Sequence, residues 1–181
     1  MRAAVLAPGY GGTPAQPIIR SLARALDDVG IVTGAVTFST RGRRPSAAYA
    51  AELGDLRAAR DALRERGAER IALVGRSFGG RMCAFLAVLE PPDALAIVGH
   101  PISPPGRPRP KDEEALARLA CPTLIVQGSR DELGPLPVLE RIAAADPRID
   151  LVVIEGARHD LRASEREAVS AVARWLDAIL R

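Results

Sequence analysis

The sequence is short of lysine and aromatic residues, and its positive charge does not collect in one place. Lys111 is the only lysine among 25 basic residues, so arginine supplies nearly all of the positive charge. Abundant alanine and arginine with scarce lysine are typical of a bacterium with a high-GC genome. Acidic residues are interspersed with the arginines and leave a net charge of only +3. Because no segment forms a basic stripe, we do not expect nucleic-acid binding.

Cysteine and long apolar runs are also scarce. The two cysteines, Cys83 and Cys121, are too few to brace a chain of 181 residues and have no metal-ligand spacing. We therefore expect buried thiols, no disulfide and no metal. No charge-free apolar stretch approaches the roughly 18 residues that span a bilayer, and Met1-Arg2 is soon followed by a Gly/Pro turn rather than a signal-peptide core. These absences predict a soluble, cytoplasmic protein, with residues 1–181 forming a single domain.

The most informative segment that is present surrounds Ser77. Residues 73–80 read Leu-Val-Gly-Arg-Ser-Phe-Gly-Gly, an apolar run that ends in Gly-x-Ser-x-Gly and leads into a helical pattern. In a sharp turn from strand to helix, flanking glycines let neighbouring elements pass close by and leave the serine Oγ exposed. The pattern predicts Ser77 as a nucleophile.

An acid and a histidine follow the serine, each just after a predicted strand. Asp131 comes after Thr123 to Gln127, and His159 comes after Leu151 to Ile154. The chain order serine, acid, histidine is the one found in α/β-hydrolases. Asp131 could instead be a helix cap, in which case Glu132 or Asp160 would be the acid.

These motifs give the chain a resemblance to the α/β-hydrolase superfamily. It most resembles the small lidless branch of testis-expressed protein 30 and the KANSL3-like hydrolase domains, through residues 75–80, the segment Gly-His-Pro-Ile-Ser-Pro-Pro-Gly-Arg-Pro at 99–108 and the segment 122–131. The resemblance implies an α/β fold: a three-layer α/β/α sandwich reduced to about six parallel strands, without a lid domain. The proline-rich segment 101–110 is too short for a helical cap, so we expect an open site.

Strands and helices alternate along the chain, which favours a parallel sheet covered on both faces. The predicted helices include one that Thr13-Pro14 would start and a last one that a Ser164-x-x-Glu167 capping box would open. The resemblance implies that the second strand lies at a sheet edge, where its length favours either dimerisation or a cover from the loop Arg41 to Ala51. The predicted strands are Ala3 to Ala7, Ile31 to Phe38, Arg70 to Val74, Ala94 to Val98, Thr123 to Gln127 and Asp150 to Ile154.

The chemistry assigns a role to each residue of the site. His159 would take the proton of the serine and later return it to the leaving group, while Asp131 fixes the imidazole tautomer. The oxyanion needs two N–H donors, which we assign to Phe78 and to Tyr10 or Gly11. Relatives commonly have His-Gly where this sequence has Pro8-Gly9, and that departure changes the loop on which the choice between Tyr10 and Gly11 depends.

The arginines point to the substrate. Arg41, Arg76, Arg130 and Arg158 should all lie near the carboxyl ends of strands, where they would favour a substrate that carries a carboxylate or phosphate. His100 either lines the same pocket or is a structural residue of its loop. The sequence thus predicts a hydrolase of the carboxylesterase or thioesterase type, with a small-molecule ester or thioester as substrate and no cofactor. The alternative is a hydrolase-like binding or scaffold protein without turnover.

Overall fold

One sheet of six parallel strands forms the centre of the protein, with the strand order β2-β1-β3-β4-β5-β6. The computed structural model describes all 181 residues. The strands are β1 (Arg2–Ala7), β2 (Val32–Ala35), β3 (Arg70–Arg76), β4 (Ala94–Val98), β5 (Thr123–Gly128) and β6 (Ile149–Ile154), and the helices are α1 (Pro17–Asp27), α2 (Ala50–Glu65), α3 (Phe78–Leu89), α4 (Pro110–Ala117), α5 (Leu136–Ala145) and α6 (Glu165–Ile179). None of the helices is both long enough and apolar enough to cross a membrane.

Successive strand residues supply two separate layers of core. In β1, Ala3 and Val5 belong to the core layer that α2, α3, α4 and α5 cover, whereas Ala4 and Leu6 belong to the layer under α1 and α6. Because both faces of the parallel sheet are buried, the strands read as nearly continuous apolar runs. The predicted three-layer α/β/α sandwich of six parallel strands is therefore confirmed.

The order of the strands places a crevice beside β1. This strand pairs with β2 on one side and with β3 on the other, and the later strands add outward from β3. The chain therefore reverses its direction of winding between β1 and β3. In open α/β sheets, the carboxyl ends of strands at such a point leave room for a ligand. The residues that follow β1 and β3 here are Pro8 and Ser77.

The second strand is shorter than predicted. Its ladder ends at Ala35, and one further bond joins the N–H of Val36 to the carbonyl oxygen of Leu6. Beyond that point β1 has given way to Pro8, which has no N–H to donate, so the ladder stops. Phe38 leaves the sheet and packs edge-to-face on Phe78, with ring centroids 5.5 Å apart. The prediction of a long apolar edge strand was thus wrong. Dimerisation through this edge stays a prediction.

One helix start and one helix cap also differ from the sequence prediction. The first helix begins at Pro17 instead of Pro14, because Thr13 closes a local turn in which its carbonyl oxygen accepts the N–H of Gln16. The last helix does have Ser164 at its N-cap, but the serine side chain makes no capping hydrogen bond. The proline-rich segment forms turns until α4 begins at Pro110, so the absence of a helical lid is confirmed.

Candidate active site

Ser77 is the single residue between β3 and α3. Its backbone angles, φ 49° and ψ −113°, are rare for a residue with a side chain and cost on the order of 1–3 kcal/mol. The neighbouring glycines are required for steric reasons, since a Cβ on Gly79 would collide with the carbonyl oxygens of Ala7 and Pro8 and one on Gly75 would collide with Gly80. The fold thus holds Ser77 in a strained turn at the crevice.

His159 joins the serine to the acid. Its Nε2 lies 2.9 Å from Ser77 Oγ, and its Nδ1 lies 2.8 Å from Asp131 Oδ2. A carboxylate can only accept, so the Asp131 contact requires the proton on Nδ1 and leaves the Nε2 lone pair directed at the serine. The other two acidic candidates, Glu132 and Asp160, lie near Arg158 and Arg162 instead. We call Ser77, His159 and Asp131 the Ser–His–Asp cluster.

Asp131 is buried and held on all sides. Its Oδ1 accepts the main-chain N–H groups of Leu133 and Gly134 at 2.9 and 3.1 Å, and its Oδ2 accepts Gln127 Nε2 at 2.9 Å in addition to His159. Four donors match the roughly four acceptor positions of a carboxylate. The side chain is therefore fixed before any substrate arrives.

Gln127 belongs to the candidate site, and the sequence prediction missed it. Its amide is fully buried and donates to Asp131 and to the carbonyl oxygen of Gly134, while its Oε1 accepts the N–H of His100. It thereby ties the ends of β4 and β5 to the acid. The signal was available, because Gln127 is the one amide in an otherwise apolar buried strand and a buried amide needs partners.

Arg76 is turned into the protein and not towards the crevice, contrary to the sequence prediction. Only 7% of it is exposed, and its guanidinium donates to the carbonyl oxygens of Val98, Gly99 and His159. Burial lowers the pKa of Arg76, and the nearby charges of Asp131 and Asp160 partly oppose that shift. The side chain clamps the main chain of the histidine loop to the end of β4, so it positions His159.

His100 is likewise not part of the crevice. It is fully buried, and neither Nδ1 nor Nε2 has a hydrogen-bond partner. Burial lowers its pKa to about 4. Of the two interpretations that the sequence left open, the structure favours the loop residue.

The loop after β1 presents unpaired N–H groups next to the serine. Phe78 is the first residue of α3, so its N–H has no acceptor within the helix. The N–H groups of Tyr10 and Gly11 donate to no other main-chain group, whereas that of Gly12 donates to Gly9. Gln16 Oε1 accepts the Gly9 N–H at 2.9 Å and braces this loop from below.

The three remaining arginines separate into two groups. Arg41 lines a groove beside Phe78 and Tyr10 and donates through Nε to the carbonyl oxygen of Gly11 at 3.2 Å. Arg130 and Arg158 are exposed on the loops after β5 and β6 and do not line that groove, and Arg158 lies 3.8 Å from Glu132. The structure therefore does not gather all four predicted arginines around one crevice.

Neither cysteine belongs to the site. Cys83 and Cys121 are both buried and free, and burial raises the pKa of each thiol. A neutral thiol in an apolar core is a poor nucleophile. No group of three or more His, Cys, Asp or Glu side chains is arranged to hold a metal ion.

Comparisons with known proteins agree with this architecture. No curated protein matches the sequence. An α/β serine hydrolase homologue from Coxiella burnetii is 24% identical over 97% of this chain and 85% of its own, with a TM-score of 0.80. The protein Est1E from Butyrivibrio proteoclasticus is 17% identical, covers 99% of this chain and 88% of its own, and has a TM-score of 0.83.

A third structure bears on the missing lid. An α/β serine hydrolase without lid from Xanthomonas campestris is 23% identical over 96% of this chain and 81% of its own, with a TM-score of 0.70. At these identities the three structures show a shared fold. The family model of the alpha/beta hydrolase domain matches residues 1–180. The chain therefore belongs to the alpha/beta hydrolase family.

Proposed function

We propose that this hydrolase is a serine esterase or thioesterase that works through an acyl-enzyme on small-molecule substrates. The observation that carries the proposal is the pair of contacts made by His159, 2.9 Å to the Ser77 hydroxyl and 2.8 Å to Asp131. A free serine hydroxyl is a weak nucleophile at neutral pH, and an adjacent base oriented by a third group is the arrangement that activates it.

The first half of the reaction acylates the serine. Ser77 Oγ attacks the carbonyl carbon while His159 Nε2 takes the hydroxyl proton, and Asp131 stabilises the imidazolium that results. The N–H groups of Phe78 and of Tyr10 or Gly11 donate to the oxyanion of the tetrahedral intermediate. When the intermediate collapses, the carbon–oxygen or carbon–sulfur bond breaks and His159 gives its proton to the leaving alcohol or thiol.

The second half repeats these steps with water. His159 takes a proton from the water that attacks the acyl-serine, and it returns that proton to Ser77 Oγ when the acid product leaves. The segment 101–109 forms no helical lid over the site. An open site of this kind supports small or extended acyl groups as substrates. A Pyrococcus furiosus protein and a domain of a Rhodothermus marinus protein are described as esterases, which supports ester cleavage. We extend the proposal to thioesters because the same chemistry cleaves them. We also propose that the chain belongs to the small lidless branch of testis-expressed protein 30 and the KANSL3-like hydrolase domains.

The test is covalent labelling of the serine. We expect a fluorophosphonate probe to add one label to the intact protein, detected as a single mass increase, and peptide mapping to place it on Ser77. Ser77→Ala removes the acceptor and His159→Ala removes the base, so both should stay unlabelled. Ser129→Ala is the control. The hydroxyl of Ser129 donates to Glu155 on an exposed loop and has no histidine beside it, so this variant should take the label as the wild type does.

The alternative is a hydrolase-like scaffold that binds without turnover. A folded wild-type protein that takes no label, and that hydrolyses no activated ester, would contradict the proposed function and support the scaffold. Circular dichroism of the same sample establishes that the protein is folded. A label that maps to another residue would also contradict the role of Ser77.

A further inference from the structure

A small groove opens beside the Ser–His–Asp cluster, on the side of the loop after β1. Its walls include Tyr10, Phe38, Phe78, Arg41 and Arg43, and we call it the arginine groove. Two rings stand edge-to-face on Phe78, with centroid distances of 5.7 Å for Tyr10 and 5.5 Å for Phe38. Phe78 and Tyr10 also carry the proposed oxyanion N–H groups, so the groove lies next to the position of the scissile carbonyl.

The groove is basic and contains no acid. None of the ten residues that line it is acidic. Arg41 and Arg43 donate only to main-chain carbonyl oxygens, those of Gly11 at 3.2 Å and Ser39 at 2.8 Å. Each bond uses one N–H of the five in a guanidinium, so the remaining donors are free to bind a carboxylate or phosphate in a bidentate manner.

The nearby carboxylates are occupied by neutral donors. Asp55 accepts the N–H and the hydroxyl of Ser39 at 2.8 and 2.9 Å. Glu52 is fully buried and accepts the hydroxyls of Thr40 and Ser46. Burial tends to raise the pKa of Glu52, but the hydrogen bonds from Ser46 and Thr40 outweigh burial and the pKa is lowered. These two acids fix the loop and form no ion pair with Arg41 or Arg43.

Two further bonds join the basic loop to the oxyanion loop. The Tyr10 hydroxyl donates to the carbonyl oxygen of Arg43 at 3.2 Å, and Arg41 Nε donates to that of Gly11. Both loops therefore hold one arrangement relative to the other. A cationic site that is fixed in this way attracts an anion without the cost of ordering the loop first.

We infer that Arg41 and Arg43, at the rim of the arginine groove, bind a carboxylate or phosphate group of the substrate whose ester lies at Ser77. The groove has a volume of only about 10 Å³, enough for about one water molecule, so the anion binds at its rim, where the exposed guanidinium forks suit it. The inference rests on the proposed function, since it names the substrate class of that site. Of the four arginines that the sequence predicted to bind an anion, only Arg41 lines the groove. Arg43 is a new candidate, and the inference does not involve Arg76, Arg130 and Arg158.

Two pairs of esters test the inference and locate the anion. One pair carries the charge on the acyl group: 4-nitrophenyl 4-carboxybenzoate against 4-nitrophenyl 4-methylbenzoate. The other carries it on the leaving group: 4-acetoxybenzoate against its methyl ester. In one of the pairs, we expect wild-type kcat/KM for the anionic ester to exceed that for the neutral ester by about tenfold or more, and added salt to reduce the ratio.

Variants identify the residues responsible. Arg41→Ala and Arg43→Ala should each lower the anionic-to-neutral ratio by about fivefold, since a hydrogen bond to a charged group is lost. Arg44 lies on the same loop but does not line the groove. Arg44→Ala removes the same charge, and its anionic-to-neutral ratio should stay within about twofold of the wild-type ratio. The ratio is taken within each variant, so that a general loss of activity cancels.

The outcomes separate this inference from the proposed function. An anionic-to-neutral ratio near one in both pairs of esters, or an equal fall of the ratio in Arg44→Ala, overturns the inference and leaves the proposed serine hydrolase intact. If Ser77 takes no label and no ester is hydrolysed, titration calorimetry of Ser77→Ala with monomethyl terephthalate tests anion binding by the arginine groove separately. Binding of monomethyl terephthalate that Arg41→Ala abolishes supports the groove, and the absence of binding overturns it.

Discussion

We expect moderate acid to destabilise the fold through one side chain, the buried imidazole of His100. The ring is fully buried and has no hydrogen-bond partner. Burial lowers its pKa to about 4, to which the positive charges of Arg81 and Arg109 also contribute, and the carboxylates of Asp112 and Asp131 oppose the shift only in part. His100 is therefore neutral in the folded protein at pH values where it is charged in the unfolded chain.

The sign and size of the effect follow from proton linkage. An unfolded histidine has a pKa of about 6.5, so on acidification the unfolded state binds the proton first and stability falls. The contribution of His100 to the free energy of unfolding is complete above about pH 6.5 and is lost as the pH falls towards 4. Each unit of difference between the unfolded and folded pKa is worth about 1.4 kcal/mol, so the loss at pH 4 approaches about 3 kcal/mol. At pH 5, the same arithmetic gives a loss of about 2 kcal/mol.

Urea unfolding at pH 7.5 and pH 5 measures this loss. The His100→Phe variant keeps an aromatic ring of similar size but cannot titrate, so its stability should fall by about 2 kcal/mol less than that of wild type between the two pH values. His159 is the only other histidine, and making both proteins in a His159→Ala background removes its contribution. Equal losses in the two proteins would refute the reasoning, because His100 would then bind its proton equally in both states.

Three further predictions concern the site and its turn. Gly79→Ala forces a Cβ against the main-chain oxygens at the end of β1, so urea unfolding should show a loss of about 3 kcal/mol or more of stability. Gly54→Ala places its Cβ in open space inside α2 and should gain about 0.5–1 kcal/mol, and similar effects of the two variants would contradict the steric argument. Arg76→Met removes the donor to three carbonyl oxygens and should cost about 2–4 kcal/mol of stability. On the folded Arg76→Met protein, ester kinetics should show kcat falling more than KM rises, and an unchanged kcat would leave this arginine only a structural role. Gln127→Met removes a donor to Asp131, and we expect kcat to fall by about tenfold or more; wild-type kcat would mean that the other donors alone hold the acid.

The layout of the site could be predicted because it depends on short-range patterns. Ser77 lies in a motif whose glycines are required by close contacts, and Asp131 and His159 each follow an apolar run that forms a strand. Carboxyl ends of parallel strands meet at one edge of the sheet, so residues just beyond them come together even though they are far apart in sequence. The roles of these residues remain proposals, but their proximity follows from the order of the elements.

The direction of individual side chains could not be predicted in the same way. Arg76 is next to Ser77 in sequence, yet it donates inward to three carbonyl oxygens, at the end of β4, just beyond it and in the histidine loop. The end of β2 depends on where its neighbour β1 stops, and the start of α1 depends on a turn that Thr13 closes. Each of these features is decided by a partner on another segment, which a local pattern does not contain.

The three members of the Ser–His–Asp cluster are held by different means, and this difference bears on how the site could work. Main-chain geometry fixes Ser77, and four donors fix Asp131. His159 is held by the two side chains it bridges and, at its carbonyl oxygen, by Arg76. In the proposed reaction, the imidazole must exchange a proton with the serine, then with the leaving group, and then with water. Small adjustments of the ring are therefore compatible with a rigid serine and a rigid acid, and Arg76 keeps the loop that carries the ring in reach of both.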